Sequence, residues 1–269
     1  MSKQTYSTIF KDHFKGKRVV VIGAAQGIGA TIGEALAGSG AEVLLADLSE
    51  AVHDVAERIR AAGHEAESMI ADVVQDKDVA QIFDRARDKW GALDVLVNNA
   101  GIITIKRLQE TTTEEFRRVL EVNTTGQFIA TREAYDLLKA AGGGSILNAA
   151  SGQARQGFIF TPSYAASKFG VMGMSQSLAK ELARDNIRVN SYCPGIVSTE
   201  MWDYNDREWG RLMGDYKPGE YIEEAIASIP LGRAAEAADI ANALLFLASD
   251  AGNYITGQAI NIDGGMFMN

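Results

Sequence analysis

The chain has little of several things. A single cysteine, Cys193, among 269 residues excludes an intrachain disulfide. The three histidines, His13, His53 and His64, are scattered without ligand spacing, so no metal site is expected. Basic residues are the minority: 26 Lys and Arg stand against 35 Asp and Glu, for a formal net charge of −9. That balance argues against nucleic acid or an anionic membrane surface as partner, both of which call for a basic face. No stretch approaches the ~20 consecutive apolar residues needed to span a bilayer. The opening "MSKQTYSTIFKDHFKGK" lacks the apolar core of a signal peptide, and neither end carries a lipidation signal. A cytoplasmic protein with no membrane association is expected. Low-complexity linkers and internal repeats are also missing, so residues 1–269 are read as one domain. The 46% hydrophobic content is enough for a substantial core.

What is present is a rhythm of short β-branched runs alternating with longer amphipathic segments. Seven strands are expected: Arg18–Gly23, Ala41–Asp47, Glu65–Asp72, Leu93–Ala100, Gly144–Ser151, Ile187–Pro194 and Ala259–Gly265. Their near-continuous apolar character suits a parallel sheet covered on both faces. The fold class is therefore α/β, a Rossmann-type doubly wound domain with a seven-stranded parallel sheet flanked by helices. Between the second and third strands, "SEAVHDVAERIRAAG" reads as a helix with Ser49 as N-cap and Gly63 as its stop. The glycines around Gly143 read as a helix-to-strand turn.

The turn after the first strand, "VVVIGAAQGIGA", spaces Gly23, Gly27 and Gly29 as G-x-x-x-G-x-G before a helix. Glycines there permit a tight turn and bring backbone N–H groups close to a pyrophosphate at the positive end of the helix dipole. Gly23, Gln26, Gly27, Ile28 and Gly29 are thus candidate dinucleotide contacts. Asp47, at the end of the second strand, is placed to accept hydrogen bonds from the adenosine ribose hydroxyls and would repel a 2′-phosphate. With no Lys or Arg in the glycine turn or just after Asp47, NAD is the expected cofactor.

Tyr164 and Lys168 stand four positions apart in "GFIFTPSYAASKFG", which puts them on one helix face. A cation there favours phenolate and lowers a pKa that is ordinarily ~10. The pair could act as a base near neutral pH, although an isolated Y-x-x-x-K also arises by chance.

Taken in order, "GAAQGIG", "ADV" at Asp72, "NNAG" at Asn98 to Gly101, "VNTTG" at Asn123, "AAS" at Ser151, "YAASK", "PG" at Pro194 and Gly195, and "DGG" from Asp263 resemble the short-chain dehydrogenase/reductase family over nearly the whole chain. One departure is Ile22, where the family usually has Thr; a hydroxyl contact that commonly steadies the "NNAG" turn is absent. The resemblance implies that Asp72 and Val73 flank the adenine, and that Asn99, Ala100 and Gly101 line the cofactor cleft. It further implies that Pro194, Gly195, Val197 and Thr199 lie at the nicotinamide end, with Thr199 meeting the carboxamide. Tyr164 would be the catalytic base toward a secondary alcohol; Lys168 and the positive charge of oxidised nicotinamide would both lower its pKa, and Lys168 would also hold the nicotinamide ribose. Ser151 would orient the substrate oxygen, and Asn123 would hold a water that passes the proton outward.

Specificity is expected in the variable segment after "PG", about residues 198–230, read as a substrate lid. It holds five of the chain's 21 aromatic residues, Trp202, Tyr204, Trp209, Tyr216 and Tyr221. These suit either the C–H face of a sugar or a small apolar core of the lid itself. Trp202, with Gln153 and Arg155 of "GQARQG", are candidate substrate contacts beside Ser151 and Tyr164. The pattern is similar to NAD-dependent polyol and sugar dehydrogenases of the family. Alternatives are an NADP-dependent 3-oxoacyl carrier-protein reductase, which needs a basic docking patch, and a cofactor-binding regulator without turnover. Family resemblance also implies a homotetramer, with helices over Thr113–Lys139 and Ser163–Arg184 at one interface.

Overall fold

The alternating pattern folds, in a computed structural model that describes residues 8–214 and 216–268, into seven strands and nine α-helices. In chain order these are β1 (Arg18–Ile22), α1 (Gly27–Gly38), β2 (Glu42–Asp47), α2 (Val52–Ala61), β3 (Ala66–Ile70), α3 (Asp76–Trp90) and β4 (Val95–Asn98). Then come α4 (Thr113–Leu120), α5 (Gly126–Ala140), β5 (Gly144–Ala149), α6 (Pro162–Leu182), β6 (Ile187–Pro194), α7 (Glu200–Met213), α8 (Glu220–Ala227), α9 (Ala237–Ala248) and β7 (Ala259–Ile262). All seven expected strands are present. Residues 1–7, part of the segment read for a leader, lie outside the described residues.

The strands form one parallel sheet in the order β3-β2-β1-β4-β5-β6-β7. Alternation along each strand divides its side chains between two cores. Val19, Val21, Val43, Leu45, Val95 and Val97 face α1, α2 and α9. Val20, Ile22, Leu44, Leu96, Ile146 and Val189 face α3, α5 and α6. The helices answer with matching stripes: Val79, Ile82, Phe83 and Ala86 of α3 recur at i, i+3, i+4 and i+7 and are buried. Burying each large side chain contributes ~1.5–3 kcal/mol, which makes the two-faced sheet the main source of the fold's stability.

Local signals set the ends. Thr112 and Glu115 form a reciprocal capping box at α4, and α3 stops at Gly91, whose φ of 66° a glycine tolerates. The expected cap at Ser49 is corrected: α2 begins after Ala51, and the Ser49 hydroxyl instead accepts from the Ala51 N–H in the preceding turn. Between α4 and α5, Glu121–Thr125 adopts a π-helical turn, which holds Asn123. Strand order reverses between β1 and β4, so the crevice beyond their carboxyl ends is where this topology binds ligands.

Candidate active site

That crevice is a cleft of about 990 Å³ running from the glycine turn to the segment after β6. At one end Gly23 packs so closely under the "NNAG" turn that a Cβ would lie 2.4 Å from the Ala100 nitrogen. A Cβ on Gly29 would lie 1.9 Å from the Gly23 carbonyl oxygen. Gln26 caps α1 without a side-chain bond, leaving first-turn amides for an anion at the cleft. This cradle, which any side chain would fill, fits a dinucleotide. Gly23, Gln26, Gly27 and Ile28 line the cleft, whereas Gly29 does not: it is buried behind Gly23, and its smallness serves packing rather than contact.

The "NNAG" turn is firm despite Ile22. The N–H groups of Asn99 and Ala100 donate to the Ile22 carbonyl at 2.8 and 3.0 Å, and Asn99 Nδ2 donates to the Gly23 carbonyl at 2.8 Å. The fully buried Tyr192 hydroxyl then donates to Asn99 Oδ1 at 2.8 Å. A hydroxyl from β6 thus steadies the turn in which the sequence lacks one from β1. Asn98, one residue earlier, ties strands and helices together through Asn148 Oδ1 at 2.9 Å and Thr131 Oγ1 at 3.3 Å.

Further along the cleft, the Asp47 carboxylate accepts from the Ala25 N–H and the Ser49 N–H, each at 2.9 Å, so its position is fixed by backbone. Glu34 and Arg58, paired at 2.9 Å, line the same end; the sequence gives no local sign of either because they arrive from the middles of α1 and α2. Asp72 and Val73 also line the cleft, with Arg118 Nη2 3.7 Å from the Asp72 carboxylate. Asn99, Ala100 and Gly101 form the wall beneath, and Pro194, Gly195, Val197 and Thr199 the opposite wall.

At the centre, α6 carries Tyr164 and Lys168 one turn apart, both buried and both lining the cleft, with Ser151 at the end of β5 beside them. The Lys168 ammonium donates to the Ala149 carbonyl at 2.8 Å and lies 5.4 Å from the Tyr164 ring centroid. The expected lowering of the phenol's pKa is corrected in its lysine part: Lys168 alone does not bring it about. Burial pushes Tyr164 up to about 12, with the Ser151 hydroxyl pulling it down only in part. Burial likewise brings Lys168 down to about 8. The ammonium sits over the ring and is held by a carbonyl rather than by the phenolic oxygen, so desolvation dominates.

The Asn123 side chain is engaged with the protein. It does not line the cleft: Oδ1 accepts from the Ile102 N–H at 2.8 Å, and Nδ2 donates to the Ile102 carbonyl at 2.9 Å and to Ser167 Oγ at 3.0 Å. The amide is consumed in holding the loop that carries Gly101, where a Cβ would meet Asn123 Oδ1 and Lys168 Nζ, both at 3.3 Å.

Residues 198–230 contribute α7 and α8, joined by Asp206, whose carboxylate accepts from the N–H groups of Gly219 and Ile222 at 2.7 and 2.9 Å. Trp209 is buried, stacks on Trp202 and Tyr221, and donates to the Ile159 carbonyl at 2.9 Å. Trp202 and Trp209 line the cleft; Tyr204 and Tyr221 do not and pack in the segment's own aromatic core, with Tyr216 edge-on to Tyr221. Phe158, Met266 and Phe267 complete this apolar end, and no sequence spacing announces them. Gln153 also lines the cleft. Arg155 does not: its guanidinium turns to β7, donating to Asn261 Oδ1 at 2.9 Å and to the Ala259 carbonyl, because those acceptors at the sheet edge lie within its reach. The expected substrate contact is therefore absent there.

A parallel sheet switching at β1/β4, a glycine cradle and a Ser-Tyr-Lys cluster together define a dinucleotide-dependent oxidoreductase. A family model described as enoyl-(acyl carrier protein) reductase matches residues 23–267, and the chain belongs to the short-chain dehydrogenase/reductase family, whose members use a nicotinamide dinucleotide. The chain is 42% identical to the L-2,3-butanediol dehydrogenase of Corynebacterium glutamicum, over 94% of its own length and 99% of that protein's. It is 36% identical to an (S)-acetoin-forming diacetyl reductase of Staphylococcus epidermidis, over 93% and 98%. Among solved structures, it is similar to a Beutenbergia cavernae protein described as a putative NAD(P)-dependent gluconate 5-dehydrogenase with NADP at low occupancy (TM-score 0.87, 34% identity, 96% and 98% covered). Among the described residues, no helix is long and apolar enough to cross a membrane.

Proposed function

We propose that this chain is an NAD-dependent dehydrogenase that reversibly oxidises a small polyol-type secondary alcohol, with Ser151, Tyr164 and Lys168 as its catalytic groups. The observation that carries the reading is the convergence of Tyr164, Lys168 and Ser151 in one cleft, between a cradle shaped for a dinucleotide and an apolar end walled by Trp202, Trp209, Phe158 and Phe267. The bound nicotinamide would supply the hydride acceptor. Everything else falls to the chain. Ser151 orients the alcohol oxygen and shares its developing charge. Tyr164 takes the hydroxyl proton, and Lys168, below about pH 8, places a positive charge on the phenol's side of the cleft. Asn123 acts through structure, by fixing the Ile102 loop against which Lys168 packs.

NAD over NADP is supported by the Asp47 carboxylate, fixed by two backbone N–H groups at the carboxyl end of β2, whose charge would repel a 2′-phosphate, while Arg58, which lines that end, is already paired with Glu34. The polyol class is supported by the aromatic walls and by the vicinal oxygen compounds named for two relatives. A cytoplasmic homotetramer is the assembly we propose on family grounds.

Tyr164→Phe tests the assignment. Expected is a loss of turnover of about 10²-fold or more with dinucleotide affinity retained, measured by nicotinamide absorbance and by titration. Full activity of the variant would end it.

A further inference from the structure

The inner face of α7 presents Trp202, Asn205 and Trp209 at helical spacing, and all three line the cleft. Asn205 is anomalous in that row. It is 3% exposed, and its Oδ1 is closed off from water without a hydrogen-bond partner. An unpaired amide oxygen in an aromatic wall costs stability, and a side chain of similar shape without the polar atoms would avoid that cost. No protein donor reaches Oδ1, and the indole N–H of Trp209, one turn along the same face, is already given to the Ile159 carbonyl. Since Oδ1 makes no bond to the protein, turning the amide about χ2 toward the cleft breaks none of its own.

Across the cleft, Gln153 is oriented by its own partner. The Thr161 hydroxyl donates to Gln153 Oε1 at 2.7 Å, which fixes the carbonyl end and leaves the NH₂ end as the available one. The apolar pocket thus holds an acceptor on α7 and a donor near Ser151, beyond the catalytic hydroxyls.

We infer that Asn205 is a specificity-determining residue that accepts a hydrogen bond from a second hydroxyl of the substrate, so that the preferred substrate is a small diol or polyol rather than a simple secondary alcohol. This rests on the oxidoreductase reading above. An acceptor held in an apolar wall selects for a donor on the substrate and penalises an analogue that leaves it unpaired.

The experiment compares kcat/KM for 2,3-butanediol and 2-butanol, which share a carbon skeleton, in the parent enzyme and in Asn205→Leu. The parent is expected to prefer the diol. In Asn205→Leu the diol should lose about tenfold to a hundredfold while 2-butanol is unchanged or improved, so the ratio collapses. NADH affinity by fluorescence and the thermal midpoint should be unchanged or higher, which separates lost recognition from lost structure. Asn205→Ala repeats the test without added bulk, and Asn205→Thr, which keeps an acceptor, should restore part of the diol preference. A diol preference that persists in both Leu and Ala variants overturns the inference while leaving the dehydrogenase reading intact. A parent that oxidises neither alcohol, nor any other polyol, overturns both.

Discussion

Replacing Lys168 with methionine separates what the residue does for chemistry from what it costs the fold. Burial holds its pKa at about 8 against an ordinary value of 10.5. That displacement of about 2.5 units corresponds to ~3 kcal/mol of penalty for keeping the ammonium charged in the folded chain at pH 7. Lys168→Met removes the penalty. It also removes one hydrogen bond, to the Ala149 carbonyl, but that oxygen still accepts from Gln127 Nε2 at 3.2 Å and is not orphaned. A lost charge-assisted bond costs ~1.5–3 kcal/mol, so the variant is expected to be as stable as the parent or up to ~1.5 kcal/mol more stable at pH 7, with its turnover largely lost. The pH dependence carries the decisive sign. A cation with a depressed folded pKa weakens the fold below that value and ceases to do so as pH rises from about 8 toward 10.5. The parent should therefore gain on the variant across that window, and denaturant melts at pH 7 and pH 9.5, at equal protein concentration, measure it. Tyr164, raised from 10 to about 12, draws stability away only above pH 10, so it leaves this comparison alone. A variant markedly less stable at pH 7, or a difference that ignores pH, would refute the claim that lysine is charged at the fold's expense.

Other substitutions probe the cradle. Tyr192→Phe deletes the hydroxyl that steadies Asn99; expected is ~1 kcal/mol lost in a urea melt and a severalfold weaker dinucleotide Kd, and no change in either would show that the bond is idle. Gly29→Ala places a methyl 1.9 Å from a backbone oxygen, which forces α1 away from β1 at a cost of roughly 3 kcal/mol, read as a fall in Tm together with lost cofactor binding. Asp47→Ala removes the carboxylate proposed to meet the ribose, and the ratio of kcat/KM for NAD over NADP should drop by about tenfold or more, as one charge-assisted bond is worth ~1.5–3 kcal/mol. An unchanged ratio would locate cofactor choice in Glu34 and Arg58.

Features carried by contiguous residues were readable in advance. The seven strands follow from apolar runs, the cradle from Gly23 and Gly27, and the Tyr164–Lys168 juxtaposition from helical spacing, all of which are local rules. What escaped was set by distant neighbours. Phe158, Met266 and Phe267 reach the pocket because the loop after β5 and the tail after β7 meet there, and Arg155 turns away because β7 offers it acceptors. Asn123 ends under Ile102 through a π-helical turn that propensity does not predict. The direction of the Tyr164 shift was missed for a related reason: spacing shows the cation, but only the packed structure shows how much water is excluded from the phenol.

That exclusion sets a demand on the proposed chemistry. A phenol at about 12 is a ready proton donor at pH 7, as carbonyl reduction requires, but alcohol oxidation needs it ionised, and working near pH 9 means closing a gap of ~3 units, or ~4 kcal/mol. A nearby unit positive charge in a partly desolvated cleft is worth on the order of 4 kcal/mol, which is the contribution a bound oxidised nicotinamide would have to supply. Oxidation should accordingly rise with pH through an apparent pKa near ~9, well below that of the free enzyme's phenol, while reduction stays level from pH 6 to 8. The two profiles, measured with saturating cofactor and with a C-deuterated alcohol to confirm that hydride transfer limits the rate, decide the matter. If oxidation is flat from pH 6 to 9 under an isotope effect, Tyr164 is not the group that takes the proton.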